Sequence, residues 1–211
     1  MVKRLQQRVG TVGAWALRKV EDRLVDERYR RQGLDTNGPD NSSDGSELLG
    51  YVATDWRVIR TLFPANTLGP DDVLLDYGCG KGRVTLWAAS RFPLRRVIGV
   101  EHDPELVTAA KANLVRWASS LQCRDVILEC VDARDFDVPD DVTVVYMFNP
   151  FMGEVFAQVL VKIQKSLVRR PRPLRVIYFY PIMHNALVDA GFEVGRFHRD
   201  LFFAWATYHI G

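Results

Sequence analysis

The run Val73-Leu74-Leu75-Asp76-Tyr77-Gly78-Cys79-Gly80-Lys81-Gly82 constrains the fold of this chain more than any other stretch. It reads as a short buried strand entering a glycine-rich turn, with a helical pattern from Arg83 to Ser90 behind it. Alternate glycines let a backbone turn tightly and approach a ligand with no side chain between them. At the carboxyl end of a strand and ahead of a helix, such a turn suits a nucleotide-like ligand. The spacing is Asp-x-Gly-x-Gly-x-Gly. It differs from the Gly-x-Gly-x-x-Gly of dinucleotide binding and lacks the Gly-Lys-Ser/Thr ending of a phosphate loop.

Beyond the turn the chain alternates between apolar runs and helical patterns. Strands are expected at 73–77, 96–101, 126–129, 142–148 and 174–180, with helices at 83–90, 104–118, 152–168 and 183–190. Continuous Val/Ile/Leu-rich strands between helices indicate a mostly parallel sheet covered on both faces. Two late runs, 192–198 and 201–208, lie close enough to pair as an antiparallel hairpin. Ahead of the glycine turn, 3–31 carries one apolar stripe of helical period and 55–63 a second helix. Between them, 35–46 is rich in Gly, Pro, Asn and Ser and reads as a loop. The expected organisation is therefore an N-terminal helix and loop over 1–46, then one α/β domain over 47–211. The N-terminal helix is either a packing element, a lid or a partner-binding surface.

A chain of 211 residues builds one domain with a substantial core. Its net charge of +2 does not announce a nucleic-acid binder. Cys79, Cys123 and Cys130 form neither a disulfide framework nor a ligand cluster, so a reducing, cytoplasmic setting is expected. The four histidines are scattered, and no metal site is expected. No run of about 18 apolar residues suggests a membrane span, and no signal-peptide pattern opens the chain.

The turn resembles motif I of the class I methyltransferases that use S-adenosylmethionine. That resemblance implies a Rossmann-like sheet of seven strands, with the last strand inserted between the fifth and sixth. It also implies the cofactor contacts. Asp76 lies near the methionine end, and Gly78, Cys79 and Gly80 form the close backbone wall. Glu101, at the end of the second strand, is placed to accept hydrogen bonds from the ribose hydroxyls. His102 either lines the adenine face or is structural. Asp132 and Ala133, after the third strand, match the adenine-binding position. Asp103 is better placed to cap the helix that begins at Pro104. Lys81 and Arg83 are either surface charges or groups that orient a nearby anion.

Tyr146-Met147-Phe148-Asn149-Pro150-Phe151 closes the fourth strand. It resembles the Asn-Pro-Pro-Tyr/Phe motif of amino-group methyltransferases without its second proline. Asn149 is expected at the transfer face, accepting a hydrogen bond from an amine or hydroxyl nucleophile or holding its lone pair towards the methyl group. Neutral Asn149 is a poor general base. Phe151 is expected to pack on the substrate or steady the sulfonium, and Tyr180 to line the acceptor pocket. Tyr180, His184 and His198 are the candidates should the acceptor need deprotonation.

A narrower resemblance covers the segment before the domain. Asp26-Glu27-Arg28-Tyr29-Arg30-Arg31-Gln32-Gly33-Leu34-Asp35-Thr36-Asn37-Gly38, followed by Tyr51-Val52-Ala53-Thr54, is similar to a region of small bacterial methyltransferase-like proteins of mostly unassigned substrate. Tyr51 and Thr54 are expected to close over the methionine portion of the cofactor, with helix capping as the second reading for Thr54. The leading function is methyl transfer from S-adenosylmethionine to a nitrogen or oxygen atom of a small molecule. A protein or nucleic-acid N-methyltransferase and a noncatalytic cofactor-binding protein are the alternatives. A dehydrogenase fits the glycine pattern less well.

Overall fold

The Val-, Ile- and Leu-rich runs become the strands of one sheet in the computed structural model, which describes residues 20, 22–37, 51–200 and 203–211. The strands are β1 (Val73–Tyr77), β2 (Arg96–Glu101), β3 (Val126–Cys130), β4 (Val144–Phe148), β5 (Leu174–Phe179), β6 (Glu193–Arg199) and β7 (Ala204–Ile210). Their spatial order is β3-β2-β1-β4-β5-β7-β6. β1 to β5 pair in parallel, and β7 runs antiparallel to both of its neighbours. The hairpin is the one the residues announced, and its insertion beside β5 is the one the resemblance implied.

Central β1 is buried at all five positions, as a strand covered on both faces must be. Alternation then assigns its side chains. Leu74 packs with Trp87, Tyr146 and Ile177 on one face. Leu75 packs with Val145, Phe156 and Val176 on the other. The first face is covered by α1 (22–31), α2 (Trp56–Leu62), α3 (Arg83–Arg91) and the end of α4 (Pro104–Trp117). The second is covered by α5 (Gly153–Arg169) and α6 (His184–Asp189). Leu34, which follows α1, is 1% exposed and belongs to the first-face core.

The ends of elements have local causes. Asp103 caps α4, accepting from the amides of Glu105 and Leu106, with Pro104 at the first helical position. Thr54 does not cap α2: its hydroxyl pairs with the Tyr146 hydroxyl at 2.9 Å. The carboxylate of Asp22, on α1, accepts from the Trp56 amide at 2.8 Å instead. β5 stops at Phe179 because Tyr180 turns to φ 52. β7 begins at Ala204, after Asp200 N donates to Phe203 O and Phe203 N to Asp200 Oδ1; residues 201–202 of the expected strand lie outside the described residues. The earlier part of the helix expected over 3–31, and 38–46 of the expected loop, lie outside the described residues. Among the described residues no helix is long and apolar enough to cross a membrane. No group of three or more His, Cys, Asp or Glu is placed there to hold a metal ion.

Candidate functional site

The carboxyl ends of β1, β2 and β4 converge on the glycine turn. Gly78 and Gly80 take φ of 73 and 53. A Cβ on Gly80 would stand 2.2 Å from Cε2 of Tyr51, and one on Gly78 would stand 2.7 Å from Cβ of Pro150. The turn is therefore enclosed by the N-terminal segment on one side and by the loop after β4 on the other. Any side chain in place of these hydrogens would collide with Tyr51 or Pro150. Cys79 is buried, and burial pushes its thiol well above the usual range, so it stays protonated as a small spacer.

Two carboxylates border the turn. Asp76 Oδ2 accepts from the Thr85 hydroxyl at 2.6 Å and the Thr85 amide at 3.1 Å. Burial raises Asp76 to about 7 against the pull of those bonds, and nearby Glu101 pushes in the same direction as burial. Glu101 ties the ends of β1 and β2 together. Its Oε2 accepts from the Gly80 amide at 3.0 Å, while Oε1 accepts from the amides of His102 and Asp103 at 2.9 and 3.0 Å. An ionised carboxylate has about four lone-pair sites. The capacity left for a ribose therefore lies at Oε2, beside the turn. His102 Nδ1 lies 2.9 Å from Oε1, with the side chain half exposed. After β3, Asp132 accepts from both the amide and the guanidinium of Arg134, and those bonds hold its carboxyl below the usual range. Ala133 packs against the second-face core.

On the β4 side, Asn149 is buried and held at φ 37, a left-handed conformation rare for a residue with a side chain. Its Oδ1 accepts from the Tyr178 hydroxyl at 3.0 Å. One carbonyl lone pair expected to meet the nucleophile is therefore already engaged. Tyr180 stacks on Phe148 with centroids 5.9 Å apart and also packs on Phe179. Burial raises its hydroxyl, and the charges of Asp55 and Asp200 add to that. Phe151 departs from expectation. It is 2% exposed, with its ring edge-on to Tyr77 and packed on Phe156, because the second-face apolar cluster takes it up. It supports the loop from beneath. His184 is bound to the Tyr208 hydroxyl at 2.8 Å, and His198 stacks on Trp205.

The N-terminal segment holds the largest surprise. Arg83 is neither a surface charge nor an open anion binder; its side chain is 5% exposed and pairs with Asp26 at 2.8 Å. It donates to Thr36 Oγ1, the Thr54 carbonyl and Asn37 Oδ1, and it lies 4.7 Å above the Trp56 ring. Tyr51 donates to the Thr36 carbonyl, and Lys81 to the Asn37 carbonyl. Asn113 of α4 donates to the carbonyls of Asp35 and Lys81, stitching this segment to the turn. Sequence reasoning singled out Tyr51 and Thr54. It missed Asp22, Asp26, Thr36, Thr85, Asn113 and Tyr178. The i, i+4 spacing of Asp22 and Asp26 on a predicted helix was the available signal for the first two.

Strand order, a glycine turn after β1 and an acid after β2 together define the class I methyltransferase fold. Residues 74–172, just under half of the chain, match the family described as "Methyltransferase domain". It is similar to a protein-lysine N-methyltransferase of Saccharolobus islandicus, 36% identical over 64 residues, which are 30% of this chain and 40% of the relative. It is 44% identical over 48 residues to a probable cobalt-precorrin-6B C(15)-methyltransferase (decarboxylating) of Methanothermobacter thermautotrophicus, covering 23% of this chain and 24% of the relative. The chain thus spans less than half the length of these curated relatives. Among solved structures, an RNA methyltransferase from Salinibacter ruber in complex with S-adenosyl-L-homocysteine aligns with a TM-score of 0.54 at 21% identity. That alignment covers 75% of this chain and 94% of the other, and the likeness is one of fold.

Proposed function

We propose that this protein transfers the methyl group of S-adenosylmethionine to a nucleophilic nitrogen or oxygen atom of a small molecule. The observation that carries the reading is the glycine turn after β1, bound through the Gly80 amide to the Glu101 carboxylate after β2. The residues present fit that cofactor. Gly78 and Gly80 give the turn a bare backbone, with Pro150 and the Tyr51 ring standing where a Cβ would lie. Glu101 keeps acceptor capacity beside it for the ribose. Asp76 is a buried carboxyl at the end where an ammonium would favour its charged form. His102, Asp132 and Ala133 form the adenine side, while Tyr51 and Thr54 close the methionine side. The cofactor supplies an activated sulfonium methyl group. The chain's residues bind, align and exclude water around the acceptor.

Asn149 and Tyr180 form the acceptor face in this reading, and Tyr178 fixes the Asn149 carboxamide. Two observations favour a small acceptor over a nucleic acid. The rings of Phe148, Phe179 and Tyr180 cluster beside Asn149, and the charges acting on Tyr180 are the acidic Asp55 and Asp200. Of Arg28, Arg30 and Arg31, the basic residues that could form an electrostatic platform, Arg30 and Arg31 are paired with Glu27. Calorimetric titration with S-adenosylmethionine and S-adenosylhomocysteine is expected to give saturable binding of both, each displacing the other. No saturation with either would reject the reading.

A further inference from the structure

Arg83 opens α3, directly after the glycine turn, yet its polar partners among the described residues all come from earlier in the chain. Asp26 is on α1, Thr36 and Asn37 follow α1, and Thr54 precedes α2. A buried guanidinium is stable only while its charge is paired and its N–H groups are bonded. If residues 22–37 left the domain, Arg83 would lose the carboxylate, the hydroxyl and the amide oxygen together. Asp26 would lose both Arg83 and the Trp56 indole N–H, which it holds at 2.6 Å. Trp56 would lose the Tyr29 ring stacked on it at 4.1 Å. The segment therefore seats as a unit.

That unit reaches the cofactor cradle by a short path. Arg83 Nε bonds Thr36 Oγ1 at 2.8 Å, and the carbonyl of the same Thr36 receives the Tyr51 hydroxyl. The Tyr51 ring lies against Gly80, so closely that a Cβ there would overlap it. Lys81, inside the turn, reaches back to the Asn37 carbonyl and sits 5.7 Å from the centroid of the Tyr51 ring. The Tyr51 ring that walls the glycine turn is thus held by the segment that Arg83 pins.

We propose that Arg83 is a positioning residue of the cofactor site, and that seating of residues 22–37 is thermodynamically linked to cofactor binding through Thr36 and Tyr51. This rests on the cofactor reading given above and adds the device that completes the site. Linkage is reciprocal: whatever factor the seated segment adds to cofactor affinity, the cofactor must add to seating.

The test uses the full chain and S-adenosylhomocysteine as probe, with calorimetric affinity and amide hydrogen exchange over residues 22–31 as paired readouts. Arg83→Gln and Asp26→Asn should each weaken binding by about tenfold, and the double variant should be no weaker than the weaker single. In the wild type the probe should slow exchange over 22–31, and Arg83→Gln should abolish that slowing. Glu101→Ala should weaken binding while leaving exchange of the free protein at wild-type rates over 22–31. Should Arg83→Gln fail to fold, Asp26→Asn and Thr36→Val, which removes one hydroxyl, carry the same comparison. Wild-type affinity in the Arg83 and Asp26 variants, or exchange indifferent to the probe, would overturn the linkage. Absence of any binding by the wild type would overturn the cofactor reading itself, a distinct result.

Discussion

Glu101 gives one carboxylate to three backbone amides, those of Gly80, His102 and Asp103, and so joins the ends of β1 and β2. Removing it leaves those donors unmet beside a ligand that needs the same oxygen. Glu101→Ala should cost about 2–3 kcal/mol in cofactor binding, read as roughly a 30- to 150-fold weaker dissociation constant by titration; unchanged affinity would reject the role. Gly80 is a separate case at the same scale. Alanine there meets a left-handed φ, costing about 1–2 kcal/mol of stability, and also displaces the Tyr51 ring. Gly80→Ala should therefore lower both the denaturation midpoint and the affinity, and loss of stability alone would detach Tyr51 from the site. The types and spacing of these residues were legible in the sequence, because the chemistry of a close backbone approach admits few alternatives. The burial of Arg83 was not legible. Its partners are 29 to 57 positions away and reach it only once α1 has packed.

At the scale of elements, α1 and α2 meet through a carboxylate cluster. Asp22 accepts from the first amide of α2, and burial pushes its pKa up to about 6, with Asp55 and then Asp26 adding to the rise. A carboxyl whose folded pKa exceeds its unfolded value of 3.8 binds more protons in the folded state between those values. Its contribution is thus fully present below about 4 and is lost as pH rises through about 6. Asp22→Asn keeps an oxygen for the Trp56 amide and removes the titration. Stability of the wild type against denaturant should fall from about pH 4 to 6 by more than that of Asp22→Asn. Parallel profiles would show that Asp22 does not set the docking of α1. The capping reading of Thr54 failed for the same reason this cluster was missed. A helix N-terminus can be satisfied by a neighbouring element, and a local pattern cannot reveal which.

For the whole molecule, the proposed cofactor site draws on the segment before α2, the turn after β1, and the ends of β2, β3 and β4. A ligand bound by all of them should stabilise them together. At a hundred times its dissociation constant, S-adenosylhomocysteine should add about 2.7 kcal/mol. That raises the melting temperature by about 5–10 °C for a chain of this size. Calorimetry showing no shift at saturating ligand would mean that the site is not part of the cooperative unit.

What the sequence determined by itself was the kind of layer and the chemistry at its edge. Apolar runs of strand length between helical patterns require a sheet covered on both faces, and Gly78 and Gly80 are the residue type that a close approach to the backbone demands. What only the tertiary structure decided was which polar groups meet. Phe151 turned into the core, Asn149 took a hydroxyl from Tyr178, and Arg83 found Asp26. Hydrophobic periodicity encodes the direction of burial along one element, whereas a buried ion pair is settled by the distance between elements after they have packed.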